Sequence, residues 1–365
     1  MPRRLTASLT FPVFSMGNRF RPGFAGLSLL LLGFVTAGCT QSALADRMIR
    51  APNQQQIPDV FKALNKAAPV LNANLYSLAT KVPVGPPAAE LAVAVLEPGD
   101  YKLDYTFNDQ TSTRPDGSSV SALSFNLTAT VPDPGTPPVS PKGTLFLLHG
   151  VMMTKESMLH WAFFLAQKGY RIVLVDLRGH GASTGDTISF GARETSDLSQ
   201  VLDELMRRKL VAGPIGVLGV SYGGAIAIQW AAREPRIDAA VALAPYSDAR
   251  EAIQSFARAV LPKVVDHISP ETMGGAFALA AQRGNFTWEQ TDALAAAKQL
   301  RFPILFLHGM GDTWLPIVHS ERIRAAAPAG SKLLRGQGDH QTISIRLDPI
   351  AEPVAEWFDQ RLLRP

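Results

Sequence analysis

An α/β fold, a mostly parallel sheet with helices on both faces and a helical cap inserted late in the chain, is predicted for these 365 residues by three observations. From residue 144 onward, short apolar runs alternate with helical periods, the pattern of parallel βαβ units. The run GVSYG, residues 219–223, stands where one such strand meets one such helix. The interval from about 246 to 300 breaks the alternation and is far longer than a strand-to-helix connection needs.

The strand candidates are TLFLLHG at 144, RIVLVDL at 171, IGVLGVS at 215, AAVALAP at 239, PILFLHG at 303 and SKLLRG at 331. Between the second and third, Leu198, Val201, Leu202, Leu205 and Met206 fall on one helical face. The helix after Ser221 runs through AIAIQWAARE and must stop at Pro235, because proline cannot continue a helix interior. The long interval carries apolar stretches, among them SFARAVLP and GGAFALAAQRG with Phe277 and Leu279. It reads as a cap at about 246–300 lying over the carboxyl ends of the strands, where ligands bind in open α/β sheets.

Upstream, residues 101–107 and 120–131 are strand-like and flank Pro115, Asp116 and Gly117, which is hairpin chemistry. A Pro-rich loop, 132–141, leads from there into the main sheet. The main domain is therefore expected over 101–365, preceded by an N-terminal helical extension over 59–100 and a polar tether over 39–58.

Residues 1–38 read as an export signal. Arg19 and Arg21 precede an apolar run over 24–37, too short for a bilayer span but suited to a signal-peptide core. The run ends in VTAGC, which resembles the bacterial lipobox, and that resemblance implies that Cys39 is lipidated and becomes the first mature residue. Cys39 is the only cysteine, so an exported chain has no internal disulfide to make with it. Translation from Met16 gives the more ordinary leader, and Thr40 in place of Asp points to the outer membrane of a bacterial envelope, with a secreted or periplasmic protein as the alternative.

The formal charge of +4 does not indicate nucleic acid. Arg3, Arg4, Arg19 and Arg21 carry the whole excess; without them basic and acidic residues balance at 31 each. No basic stripe with interleaved aromatics occurs elsewhere. Metal and nucleotide signatures such as H-E-x-x-H, a cysteine cluster or a P-loop are absent, so no metal and no cofactor is expected.

The G-x-S-x-G run in strand-turn-helix context is a nucleophile elbow, which makes Ser221 the candidate nucleophile. A serine hydroxyl needs a base to take its proton, and neutral imidazole suits that task near pH 7. Of seven histidines, His340 follows the last strand in a short Gly-rich loop, where a late-delivered base is expected. His149 and His180 read as shapers of backbone and hydrogen bonds, and His160, His267, His308 and His319 as helix, cap or loop residues. Asp312, a short turn after PILFLHG, is the expected carboxylate to orient the base, with Asp248 after the preceding strand as the alternative.

With LFLLHG, DLRGHGAST, GVSYGG, LHGMGDTWLP and GQGDH in this order, the chain resembles the α/β-hydrolase superfamily, and more closely its lipase, esterase and serine-aminopeptidase-like branch. The resemblance spans roughly residue 101 to the C-terminus and implies an α/β-hydrolase fold. It implies that the backbone N–H groups of Val151 and Tyr222 form the oxyanion hole. Met152 and Met153 beside that turn are candidates for an acyl pocket, with apolar core packing as the alternative. The activity implied is hydrolysis of small-molecule esters with an apolar acyl group. A serine exopeptidase is the alternative, in which Glu271, Glu289 or Asp292 of the cap binds a substrate amine. A non-catalytic binding lipoprotein is the third reading, and has no need of Ser, His and Asp on three loops.

Overall fold

The computed structural model describes residues 3–11, 40–55, 75–113, 119–131, 139–260 and 262–363. Eleven strands are found among them: β1 (Arg3–Phe11), β2 (Leu78–Val84), β3 (Ala89–Leu96), β4 (Lys102–Thr113), β5 (Ser119–Val131), β6 (Thr144–Leu148), β7 (Arg171–Val175), β8 (Ile215–Val220), β9 (Ile237–Leu243), β10 (Leu305–Gly309) and β11 (Lys332–Gly336). Eight of them form one sheet in the order β2-β3-β7-β6-β8-β9-β10-β11. The six strands from β7 to β11 in that order pair in parallel. Only β3 runs against the others, pairing antiparallel with both β7 and the edge strand β2. From β6 the chain crosses to β7 on one side and returns to β8 on the other, so the carboxyl ends of β6 and β8 border the topological switch point, where such sheets bind ligands.

The parallel strands are apolar along their length because both faces are covered. Phe146, Leu148, Val173, Val175 and Val217 face one core with α3 (Glu194–Arg207) and α4 (Tyr222–Arg233). Their neighbours Leu145, Leu147, Ile172, Leu174 and Leu218 face the other, with α2 (Leu159–Gln167) and α11 (Ala351–Leu362). The period of two along each strand thus feeds two cores at once. In α3 the expected stripe is buried at Leu198, Val201, Leu202 and Leu205, while Met206 is exposed at the last turn. α4 ends at Arg233 ahead of Pro235, as expected.

Trp230 of α4 is fully buried, edge-on to Phe146 at 5.1 Å, with its indole N–H donating to Ser199 Oγ at 3.0 Å. Trp230→Ala is therefore expected to lower unfolding stability by about 3–5 kcal/mol, measured by urea denaturation.

The interval after β9 folds as helices: α5 (Ala249–Val260), α6 (Pro262–Val265), α7 (Pro270–Gly284) and, after a short 3-10 turn, α8 (Ala293–Ala297). Phe277 does not stand free in it. It packs edge-on to Trp288 at 5.2 Å in a buried cluster with Phe286 and Phe190, and its carbonyl accepts the Trp288 indole N–H. This side chain builds the cap rather than a pocket wall, and Leu279 packs partly buried against the same core. After the cap come α9 (Val318–Ala326) and α10 (Thr342–Ile345), beside β10 and β11.

The region upstream of 101 differs from expectation. Residues 78–96, assigned to a helical extension over 59–100, form β2 and β3 and extend the main sheet. The alanines of AELAVAVL favour a helix, but Val93 and Val95 pair with β7, and edge pairing with burial overrides propensity. Residues 59–74 of the expected extension lie outside the described residues. The expected tether over 39–58 contains α1 (Gln41–Ile49), capped by Thr40 Oγ1 accepting from Ala43 N at 3.2 Å. Leu44, Ala45 and Ile49 are buried, α1 packs along α7, and Arg283 donates to Asp46 at 2.6 Å and to the Ser42 carbonyl at 2.9 Å. A docked helix, not a free linker, therefore follows residue 39.

β4 and β5 form the expected hairpin, with β1 pairing antiparallel to β5 at the outer edge of a separate three-stranded sheet. Cleavage after residue 38 would remove β1 and leave every pairing of the eight-stranded sheet in place.

Candidate active site

Ser221 follows β8 and directly precedes α4, with φ 54° and ψ −113°, a region that a residue with a side chain rarely occupies. The turn closes only because its neighbours are small. A Cβ at Gly219 would lie 2.1 Å from the Gly223 carbonyl oxygen, and one at Gly223 would lie 2.4 Å from that of Leu148. The elbow thus pushes the hydroxyl out of the sheet beside the end of β6.

His340 Nε2 lies 2.9 Å from Ser221 Oγ, and His340 Nδ1 lies 2.6 Å from Asp312 Oδ2. Asp312 Oδ1 accepts from the backbone N–H groups of Trp314 at 2.9 Å and Leu315 at 2.8 Å. Both nitrogens of the imidazole are thereby engaged: Nδ1–H donates to the carboxylate, and Nε2 accepts the serine hydroxyl. Burial pushes the Asp312 carboxyl up, but hydrogen bonds from His308 and His340 and the backbone outweigh it and bring it down to about 2. The group is an anion at any pH where imidazole serves as a base.

Asp248 does not meet His340. Its carboxylate caps α5, accepting from Arg250 N at 2.7 Å and Glu251 N at 3.1 Å, and pairs with the Arg250 guanidinium at 3.0 Å. Asp339 is likewise turned into its own loop, accepting from Thr342 N at 2.9 Å and Thr342 Oγ1 at 2.8 Å.

The turn after β6 stands across from the serine. A Cβ on Gly150 would lie 3.7 Å from Ser221 Cβ, and Met152 takes φ 63°. His149, expected to shape backbone and hydrogen bonds, does so at this turn. The Leu177 N–H donates to His149 Nε2 at 3.0 Å, so Nδ1 carries the proton and donates to the Gly150 carbonyl at 2.8 Å. Met153 N donates to the same oxygen at 3.2 Å. In a trans peptide the Val151 N–H points opposite to that carbonyl, so fixing the one aims the other. Burial holds His149 below the ordinary histidine range, which keeps it neutral.

Tyr222 opens α4, where a helical N–H has no intrahelical acceptor. Its phenol donates to Glu194 Oε1 at 2.9 Å, and Glu194 also accepts from Ser189 N, Ser189 Oγ and Gly191 N at 2.7–2.8 Å. This buried carboxylate ties the start of α4 to the start of α3. Nothing in the spacing of residues 194 and 222 announces the pairing.

His308, grouped from sequence with the histidines of helix, cap or loop, is fully buried beneath Asp312. Its Nε2–H donates to the Leu315 carbonyl at 2.8 Å and lies 3.3 Å from Asp312 Oδ2, while Nδ1 pairs with Ser320 Oγ at 2.7 Å. Its position four residues before Asp312 at the end of β10 was the available signal. Of the cap carboxylates, Glu271 and Glu289 are exposed, and Asp292 caps α8 by accepting from Ala295 N at 2.8 Å. Cys39 lies outside the described residues.

Comparison with known proteins agrees with this architecture. Residues 139–276 match the family model described as "Serine aminopeptidase, S33". The chain is 28% identical over 184 residues to the "Uncharacterized protein YqkD" of Bacillus subtilis (strain 168), covering 49% of this chain and 58% of that one. It therefore spans little more than half the length of that relative. Among solved structures, the 2,6-dihydroxy-pseudo-oxynicotine hydrolase superposes with a TM-score of 0.56 at 20% identity, covering 85% of this chain and 74% of that one. A thermophilic esterase from Thermogutta terrifontis superposes with a TM-score of 0.51 at 17% identity, covering 78% and 100%. The fold is that of the α/β-hydrolases.

Proposed function

We propose that this chain, a hydrolase of the α/β-hydrolase superfamily, is an exported serine hydrolase that cleaves carboxylic esters through an acyl-enzyme. The observation that carries the reading is the unbroken line from Ser221 Oγ through His340 to Asp312, at 2.9 and 2.6 Å. In acylation His340 takes the Ser221 proton as Oγ attacks the ester carbonyl, and Asp312 stabilises the imidazolium. The carbonyl oxygen becomes an oxyanion facing the N–H groups of Tyr222 and Val151. The imidazolium then protonates the leaving alkoxide. Water, deprotonated by the same imidazole, hydrolyses the acyl-Ser221 ester in a second passage through the same geometry.

The ester reading is supported by the cap carboxylates, two exposed and one occupied in capping a helix. The exopeptidase reading is favoured by the family model matched over 139–276. Labelling of Ser221 by a fluorophosphonate tests the class, and a panel of aryl esters and aminoacyl amides tests the substrate. From acetate to hexanoate, kcat/KM is expected to rise by up to about fourfold per methylene, since each buried CH2 contributes about 0.8 kcal/mol. Aminoacyl amides should be turned over poorly. Faster cleavage of amides with a free amino terminus would hand the site to the exopeptidase reading, with Glu271, Glu289 and Asp292 as the residues to mutate.

The same proposal places the protein in a bacterial cell envelope, at the outer membrane, anchored through lipid on Cys39. It rests on the solitary cysteine at the end of the apolar run and on Thr40 in place of Asp. Cys39→Ala is expected to accumulate unprocessed precursor and to lose metabolic labelling with a fatty acid. A mature chain that begins elsewhere and carries no lipid would remove the anchor.

A further inference from the structure

Two hydrogen bonds hold His340, one at each ring nitrogen. They fix the ends of the imidazole but not its rotation about the line joining them, which only a packed neighbour can set. Trp314 supplies a face. Its indole lies 5.4 Å from the His340 ring, centroid to centroid, at an interplanar angle of 35°. The same residue is fixed to the acid, because its backbone N–H donates to Asp312 Oδ1 at 2.9 Å. On the cap side, Phe256 of α5 meets the indole edge-on, with centroids 5.3 Å apart and planes at 81°. Cap helix, indole and imidazole therefore form one line of ring contacts ending on the proposed base.

We infer that Trp314 is a positioning residue that sets the tilt of the His340 imidazole, and that Phe256 of the cap holds Trp314 in that place. The inference rests on the proposed roles of Ser221 and His340 and adds to them a route by which the cap bears on the chemistry. The indole also offers its π face to the imidazolium formed during acylation, an attraction present only once the proton has moved from Ser221.

The test uses Trp314→Ala, Trp314→Phe and Phe256→Ala, assayed with a small aryl acetate and by the rate of Ser221 labelling with a fluorophosphonate. Misplacing a reacting group by about 1 Å costs up to about 100-fold, so Trp314→Ala is expected to lower kcat by about 10- to 100-fold, with KM within about threefold of wild type. Labelling should slow in parallel, because it needs the base but no bound acyl chain. Trp314→Phe should recover most of the loss. Phe256→Ala, at a partly exposed position, should lower kcat by about 3- to 10-fold, again without raising KM, and keeps the test decisive if Trp314→Ala does not fold.

A rise in KM at unchanged kcat and unchanged labelling would make Trp314 a pocket wall and overturn the inference. Phe256→Ala with wild-type rates would overturn its cap arm. Wild-type protein that never labels at Ser221 would overturn the serine-hydrolase reading and this inference together. Labelled wild type beside an equally fast Trp314→Ala variant would overturn this one alone.

Discussion

Ser221→Ala and His340→Ala are each expected to lower kcat/KM for an aryl ester by about 10⁴-fold or more while leaving the fold intact, because nucleophile and base act as a unit and either loss forfeits the benefit of both. Alanine at 221 keeps the Cβ and the strained φ of 54°, so the elbow is unaltered and only the hydroxyl with its 2.9 Å bond to His340 is removed. His340 sits in a loop and is partly exposed, so its truncation opens no core cavity. Steady-state kinetics, with the melting temperature as the check on folding, read the result. Near-wild-type turnover in either variant would require another nucleophile or base.

Asp312→Asn is expected to cost a further instructive loss, on the order of 10⁴-fold in kcat, from a change of one atom. Oδ1 is committed to two backbone donors, Trp314 N and Leu315 N, so an asparagine must keep its carbonyl oxygen there and turn its NH2 toward His340. Nδ1 then has to accept, the ring proton moves to Nε2, and the imidazole faces Ser221 as a donor that cannot take its proton. The new NH2 also confronts His308 Nε2–H, 3.3 Å from the present Oδ2. Asp248→Asn, in a cap turn away from His340, should change kcat by no more than a few-fold, and the reverse order would move the acid to Asp248.

Stability carries a second signature of the same group. The Asp312 carboxyl titrates at about 2 in the folded protein against an ordinary 3.8, so the stabilisation that its partners give is complete above about pH 4 and is lost as pH falls through 2. Between those limits the melting temperature of Asp312→Asn should fall less steeply than that of wild type.

What the sequence carried furthest was whatever a short stretch of chain specifies by itself. The apolar period of β6 to β11, the glycines that let the elbow close and the order Ser221, Asp312, His340 are local patterns, and the structure brings those three side chains together. Residues 78–96 escaped because Ala and Glu in the run favour a helix, and only the free edge of β7 makes the segment a strand. Residues 41–49 escaped for the same kind of reason: a nine-residue amphipathic segment is marginal alone and becomes a helix where α7 offers a surface.

Partners far apart in the chain were the other gap. Asp312 is the acid expected from its place after β10, and that Asp248 instead caps α5 follows from where the turn after β9 aims its carboxylate. Glu194 under Tyr222, His308 under Asp312, and Trp314 between Phe256 and His340 are likewise consequences of packing. Periodicity, turn residues and motif spacing act over a few residues, so they suffice to specify the chemistry available and the strands that bear it. Which groups brace the acid, the base and the elbow is set by packing, because hydrogen bonds and ring contacts depend on distances that no local pattern encodes.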